Sequence, residues 1–390
     1  MFFLRCLNMI QLLVEIAHFF KTERTYFYLF VVMMCTYVAI FAVRHQIHTS
    51  VLTDRQTVSQ DELNLVHIPQ TPEEIQNKFS SKVSPSKIFR WSVYLFAGAI
   101  FLGLWFNTVD LWRWAAHKEM FPAPFPLQKR VAVWGIAEVV KVTLFFFASS
   151  LCLNIFFSVF AFLFTAQSNP PLFLVQTLFL DLAAIFFMIW SVRKYGAGWK
   201  ELVGSFAVRD RSPRAAPVGR SFERHRAVGA VLLLREVWIG IRTYFVILPI
   251  FILMLILLVW TANAFSYEPP PHPLVVVFLE KKELSPWVIF YGLMLACILG
   301  PLVEELFFRG FFYPALRKYF GITASMVVTA SLFAGVHESI FSFLPIFFLG
   351  LVLAYLYEKR HNIMSCISLH VLHNAIFIGY FFLVKDVMLK

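Results

Sequence analysis

The stretch "ILGPLVEELFFRGFF", residues 298–312, carries two carboxylates, Glu304 and Glu305, and a guanidinium, Arg309, in a segment otherwise apolar enough to live in lipid. An ionised side chain at the bilayer centre costs about 2.5–3.5 kcal/mol on insertion scales, so three together demand a reason. Glu305 and Arg309 stand at i,i+4 with the acid first, the spacing that lets them pair on one helix face. Glu304 lies about 100° around the same helix and is free to point elsewhere. Two further polar pairs follow in apolar surroundings. Phe333 and His337 are i,i+4 in "SLFAGVHES", and His370 and Asn374 are i,i+4 in "ISLHVLHNAIF", with His373 on the neighbouring flank. Singly, each has a structural explanation: an ion-pair network at a helix end, a satisfied core histidine, an interhelical hydrogen bond. Three separate apolar segments that each bring polar groups into hydrocarbon satisfy them most cheaply by converging on one cavity. A carboxylate, two imidazoles and a carboxamide there supply a base, proton carriers and oxyanion donors, the parts needed to add water to a carbonyl.

Competing chemistries fare less well. No G-x-S-x-G marks a nucleophile elbow. "HESIF" at 337–341 begins like a zinc-protease signature but has Phe341 where the second ligand belongs. The five cysteines are scattered singly through apolar stretches, which argues against a disulfide framework and against a thiolate metal site. Cys366 is i,i+4 with His370, a weak nucleophilic pair. Transport through intramembrane charges stays open.

The elements that position these residues follow from composition. Of 390 residues 59% are hydrophobic and 46 are Phe, and the mean hydropathy is +0.71. Such a chain is too apolar for a soluble domain. Runs of about 20 apolar residues, enough to cross a hydrocarbon core about 30 Å thick, leave helices as the spanning form. The expected fold is all-α, a polytopic transmembrane bundle of about 8–9 spanning helices, with spans near 26–43, 89–108, 131–166, 172–192, 243–263, 287–308, 322–338, 342–357 and 363–384. The run 131–166 fits one long helix or a hairpin. Residues 1–25 hold Asn8, Gln11, Glu15 and His18 on one helical face and read as an interfacial amphipathic segment without a cleavable signal. Residues 26–192 form an N-terminal transmembrane region, 193–236 a basic loop, and 237–390 the region with the polar pairs. The net charge of +11 resides in loops, where the positive-inside rule accounts for it and no nucleic acid is needed. The basic loop then lies in the cytoplasm, as does the N-terminus.

Glu304-Glu305-x-x-x-Arg309, Phe333-x-x-x-His337 and His370-x-x-x-Asn374, in this order on successive apolar segments, resemble the CPBP family of intramembrane proteases, which includes the CAAX prenyl endopeptidases of the Ras-converting type and bacterial Abi proteins. The resemblance covers about residues 243–384, and "GPLVEELFFRGFFYPALRKYFG" looks like the family's best-preserved segment. It implies an endopeptidase acting on a membrane-associated peptide or protein, with Glu304 and His337 activating a water and His370 and Asn374 stabilising the oxyanion. Glu305, Arg309 and Phe333 become positioning residues. No cofactor is expected to be required; if a divalent metal such as zinc takes part, Glu304, His337 and His370 are its candidate ligands. The basic loop and extra N-terminal spans suggest a bacterial-type relative, in the cytoplasmic membrane, with another peptide substrate. The alternatives are a non-catalytic scaffold or immunity protein, in which the polar groups only lock helices together, and a transporter.

Overall fold

The computed structural model describes residues 2–55, 87–116, 132–163, 170–204, 218–266, 285–337 and 340–388. The turn signals at 268–273 and most of the polar connector after residue 55 lie outside the described residues, as do residues 205–217 of the basic loop. All the long elements are helices, with one isolated bridge between Gly204 and Asn362. They are α1 (Phe2–Thr22), α2 (Arg24–Arg55), α3 (Lys87–Ala115), α4 (Ile136–Leu163), α5 (Pro170–Arg193), the short α6 (Trp199–Val203) and α7 (Val218–Ala264). A composite stretch follows: α8 (Pro286–Met294), a π segment (Leu295–Leu299), α9 (Gly300–Glu305), a second π segment (Leu306–Phe312) and α10 (Tyr313–Gly335). α11 (Ile340–Arg360) and α12 (Met364–Met388) complete the chain. Six helical stretches are long and apolar enough to cross a membrane, and Arg24–Ala39 and Met364–Tyr380 are shorter apolar helices. The protein is an all-α polytopic membrane protein.

Two compact units divide it: residues 20–96, which hold the end of α1, all of α2 and the start of α3, and residues 1–19 with 97–390, which hold every candidate site residue.

Several expected boundaries move. Within the run 131–166, Ile136–Leu163 form a single helix, α4, of 28 residues, roughly 42 Å at 1.5 Å per residue. The basic loop 193–236 is largely replaced by α6 and by the first part of α7, so Arg235 and Glu236 are helical. The spans near 287–308 and 322–338 join in one stretch, Pro286–Gly335. The break between them is conformational: Gly321 takes φ 72, a left-handed conformation that glycine enters without a Cβ clash. At the start of the stretch Ser285 caps α8 by accepting from the Val288 amide, with Pro286 in the first turn.

In the larger unit α10 packs along α11, α12 lies against α7, and α4 lies against α5. Leu306, Phe311, Phe333, Leu353, Leu356, Ile363 and Leu369 form the innermost core, all fully buried. Leu12 and Ile16 of α1 join this core, and Glu15 accepts from the Tyr319 hydroxyl of α10. The polar stripe of α1 is thus partly a docking face.

The approach of α12 to α7 fixes where His370 stands. It depends on Gly240, where a Cβ would overlap the Ser368 hydroxyl and the Ser365 carbonyl, both on the first turns of α12. Gly240→Ala is expected to destabilise the protein by about 1–3 kcal/mol, the usual cost of overpacking. Thermal unfolding of the variant in detergent checks this; an unchanged midpoint contradicts the close approach.

Candidate active site

The site grows from the composite stretch. In a π turn the hydrogen-bond ladder is interrupted, and carbonyls are released to outside partners. Both π segments here are held that way. The Asn374 side chain of α12 donates from Nδ2 to the Ala296 carbonyl at 2.9 Å, and the Trp134 indole donates to the Phe311 carbonyl at 2.9 Å. Between them the short helix α9 presents its two glutamates.

Glu305 and Arg309 are both wholly buried and pair at 2.7 Å through Oε1 and Nη1. The guanidinium also donates from Nη2 to the Gly350 carbonyl of α11 at 3.2 Å and lies 4.5 Å from the Phe333 ring centroid, a cation–π geometry. The same Glu305 oxygen is 2.9 Å from His370 Nδ1. This contact, which spacing along one helix does not reveal, orients the imidazole: with Nδ1–H donating to Glu305, Nε2 faces the other way. Nε2 then lies 3.8 Å from Glu304 Oε2. That separation is too long for a direct hydrogen bond and short enough for one water to bond both groups. His370 is buried, whereas the Glu304 side chain keeps 36% of its surface. Glu304 Oε2 has no hydrogen-bond partner among the described residues.

Phe333 touches both histidines, its ring centroid 5.1 Å from His337 and 5.7 Å from His370. His337, just past the end of α10, directs Nδ1 to the Phe333 carbonyl at 2.7 Å, so its Nε2 is left as an acceptor. His373 turns to the other flank, against Tyr244, Phe251 and Phe377. The structure therefore gathers Glu304, Glu305, Arg309, Phe333 and His370 into one network. His337 joins it through Phe333, and Asn374 through the π segment that precedes α9.

A metal site would need at least three close donors. Glu304 and His370 approach each other, but no group of three or more His, Cys, Asp or Glu side chains among the described residues could hold a metal ion. Glu305 and Arg309 occupy the other side of His370, so the donor set does not fit a zinc ion.

Several ion pairs outside this network join elements far apart in sequence. Glu236 of α7 receives Arg360 of α11, Asp110 of α3 receives Arg242 of α7, and Glu138 of α4 receives Lys194 and the Ser191 hydroxyl. These are structural locks. The sequence reading passes over one further acid, Asp181 of α5, the helix that packs against α9. A single carboxylate in the run "LFLVQTLFLDLAAIFF" was its available signal.

The fold and site define a multi-pass membrane protein with a charged, histidine-bearing centre inside its helices. Residues 286–376 match the family model described as type II CAAX prenyl endopeptidase Rce1-like, a match that supports the resemblance of the three motifs to the CPBP/CAAX proteases. No curated protein and no solved structure matches the chain.

Proposed function

We propose that the protein is an intramembrane endopeptidase that hydrolyses a peptide bond of a membrane-associated substrate with water activated by Glu304. The observation that carries this reading is the division of labour between the adjacent glutamates. Glu305 is neutralised by Arg309 and holds His370; Glu304 is paired with no arginine or lysine and faces Nε2 of the same imidazole. Water placed between Glu304 and His370 loses a proton to the carboxylate, with the His337 Nε2 as the assisting acceptor. The oxygen attacks the scissile carbonyl. The charge that develops on the carbonyl oxygen is met by His370 in its protonated form, donating from Nε2, and by the second N–H of Asn374, whose first N–H is committed to Ala296. The proton collected by Glu304 passes to the leaving nitrogen. Phe333 contacts both imidazoles and covers the guanidinium of Arg309.

The N-terminus and the basic segment 193–236 are cytoplasmic in this reading, and the host membrane is a bacterial cytoplasmic one. The test is cleavage by the purified full chain, reconstituted in lipid nanodiscs, of a fluorescence-quenched peptide ending in a CAAX sequence, in prenylated and unprenylated forms, alongside proteomic comparison of membrane-peptide cleavage in cells carrying the intact protein. Specific cleavage absent from both measurements rejects the reading.

The chemistry assigns no step to a metal, so EDTA or 1,10-phenanthroline is expected to leave the rate within about twofold, because two donors do not make a catalytic zinc site. Inactivation by chelator and recovery with added zinc contradicts the assignment. A transporter is disfavoured by the closed packing of Phe333, Arg309 and Glu305, all without exposed surface.

A further inference from the structure

Asp181 lies within the apolar span Leu174–Arg193 of α5 and is the only acid of that helix. Its register is informative. It stands seven residues after Leu174, three before Ala184 and seven before Met188, all three buried, so it shares the face that α5 turns to the protein. Besides α4, α5 packs against α9 and both π segments, the stretch that presents Glu304. Four other acids drawn into the helical interior meet a cation: Glu138 meets Lys194, Asp110 meets Arg242, Glu236 meets Arg360 and Glu305 meets Arg309. Asp181 has no hydrogen bond or ion pair among the described residues, and the helix α9 that packs against α5 carries another carboxylate, Glu304. A carboxylate at membrane depth set against a like charge is a locally unfavourable arrangement, and such violations concentrate at functional sites.

We propose that Asp181 is a positioning residue of the hydrolytic site, a second carboxylate supplied from outside residues 286–376, which repels Glu304 from the α5 side and keeps it turned to His370 and free of a cation. This role rests on the endopeptidase reading above. It adds that the catalytic segment is incomplete without α5: the N-terminal half supplies a charge that the family-matched part lacks. The repulsion also opposes entry of an anionic substrate group from α5, such as a peptide's terminal carboxylate, so the chain is oriented with that end away from Asp181.

The test compares the full chain in nanodiscs as wild type, Asp181→Asn, Asp181→Glu, Glu304→Gln and the Asp181→Asn/Glu304→Gln double variant, using the quenched CAAX peptide for kinetics and thermal unfolding for stability. Asp181→Asn is expected to lower kcat by about 10–100-fold, the scale of a misplaced catalytic group, with KM within about twofold and recovery in Asp181→Glu. The same variant is expected to raise the melting temperature, and that rise is expected to vanish in the Glu304→Gln background, because only mutual repulsion links the two effects. An unchanged kcat, a lowered melting temperature, or a rise that persists with Glu304→Gln overturns the proposal. If the wild type cleaves neither this peptide nor any membrane peptide in cells, the endopeptidase reading fails by itself, while the melting cycle still decides whether the two carboxylates oppose each other.

Discussion

Glu304→Gln is expected to reduce peptidase activity by about 10³-fold, within the 10²–10⁴-fold range that a general base contributes, while the protein stays folded. The substitution keeps the side chain's shape and removes its capacity to accept a proton. Glu304 has no salt bridge to a permanent cation, and its Oε2 makes no hydrogen bond among the described residues, so an amide there costs the fold little. The contrast with its neighbour gives the experiment its force. Glu305 is buried and its Oε1 is bonded to both Arg309 and His370, and its replacement disturbs structure as well as chemistry. A catalytic role for Glu304 therefore predicts loss of turnover with an unchanged elution volume and an undiminished melting temperature. A scaffold role predicts the opposite order, with stability falling and no turnover to lose. Wild-type turnover in the Gln variant refutes the assignment of the base.

How much of this was legible in the sequence depends on the distance over which each feature is encoded. The spans follow from runs of apolar residues, and the Glu305–Arg309 pair follows from a four-residue spacing; both are local signals. That the motif segments meet was inferred from the cost of isolated polar groups in lipid. The structure adds which atoms meet, with His370 held by Glu305 and facing Glu304. The π segments were not legible, because they depend on Trp134 and Asn374, partners brought in from remote parts of the chain. The same holds for Glu236 with Arg360, 124 residues apart. Gly321 gave no clear warning that two expected spans would continue into one another, since a glycine in a helical run can be an ordinary close-packing position. Asp181 is a different case. It was visible as an intramembrane acid, but its significance depended on α5 packing against α9, which no spacing encodes.

Arg309→Met is expected to be the most destabilising single substitution at the site, by about 3–5 kcal/mol, the range for stranding one partner of a buried ion pair. The arginine contributes three contacts at once: a charge-assisted bond to Glu305, a bond to the Gly350 carbonyl of α11, and a stacked face on Phe333. Methionine fills much of the volume but leaves Glu305 with only His370 to balance it. Arg309→Lys restores a charge without the planar fork, so it is expected to recover only part of the loss, since one ammonium does not reproduce both directed bonds and the ring contact. The companion measurement is the pair Glu305→Gln/Arg309→Met, in which neither buried charge remains. Its destabilisation is expected to be smaller than the sum of the two single substitutions, because each single variant counts the stranded partner. Activity must separate from stability in this double variant. Once Glu305 no longer fixes Nδ1 of His370, the imidazole loses its orientation toward Glu304, so turnover is expected to stay low even where the melting temperature recovers. Additive destabilisation, or recovery of turnover together with the fold, contradicts the coupled pair as the device that aims His370.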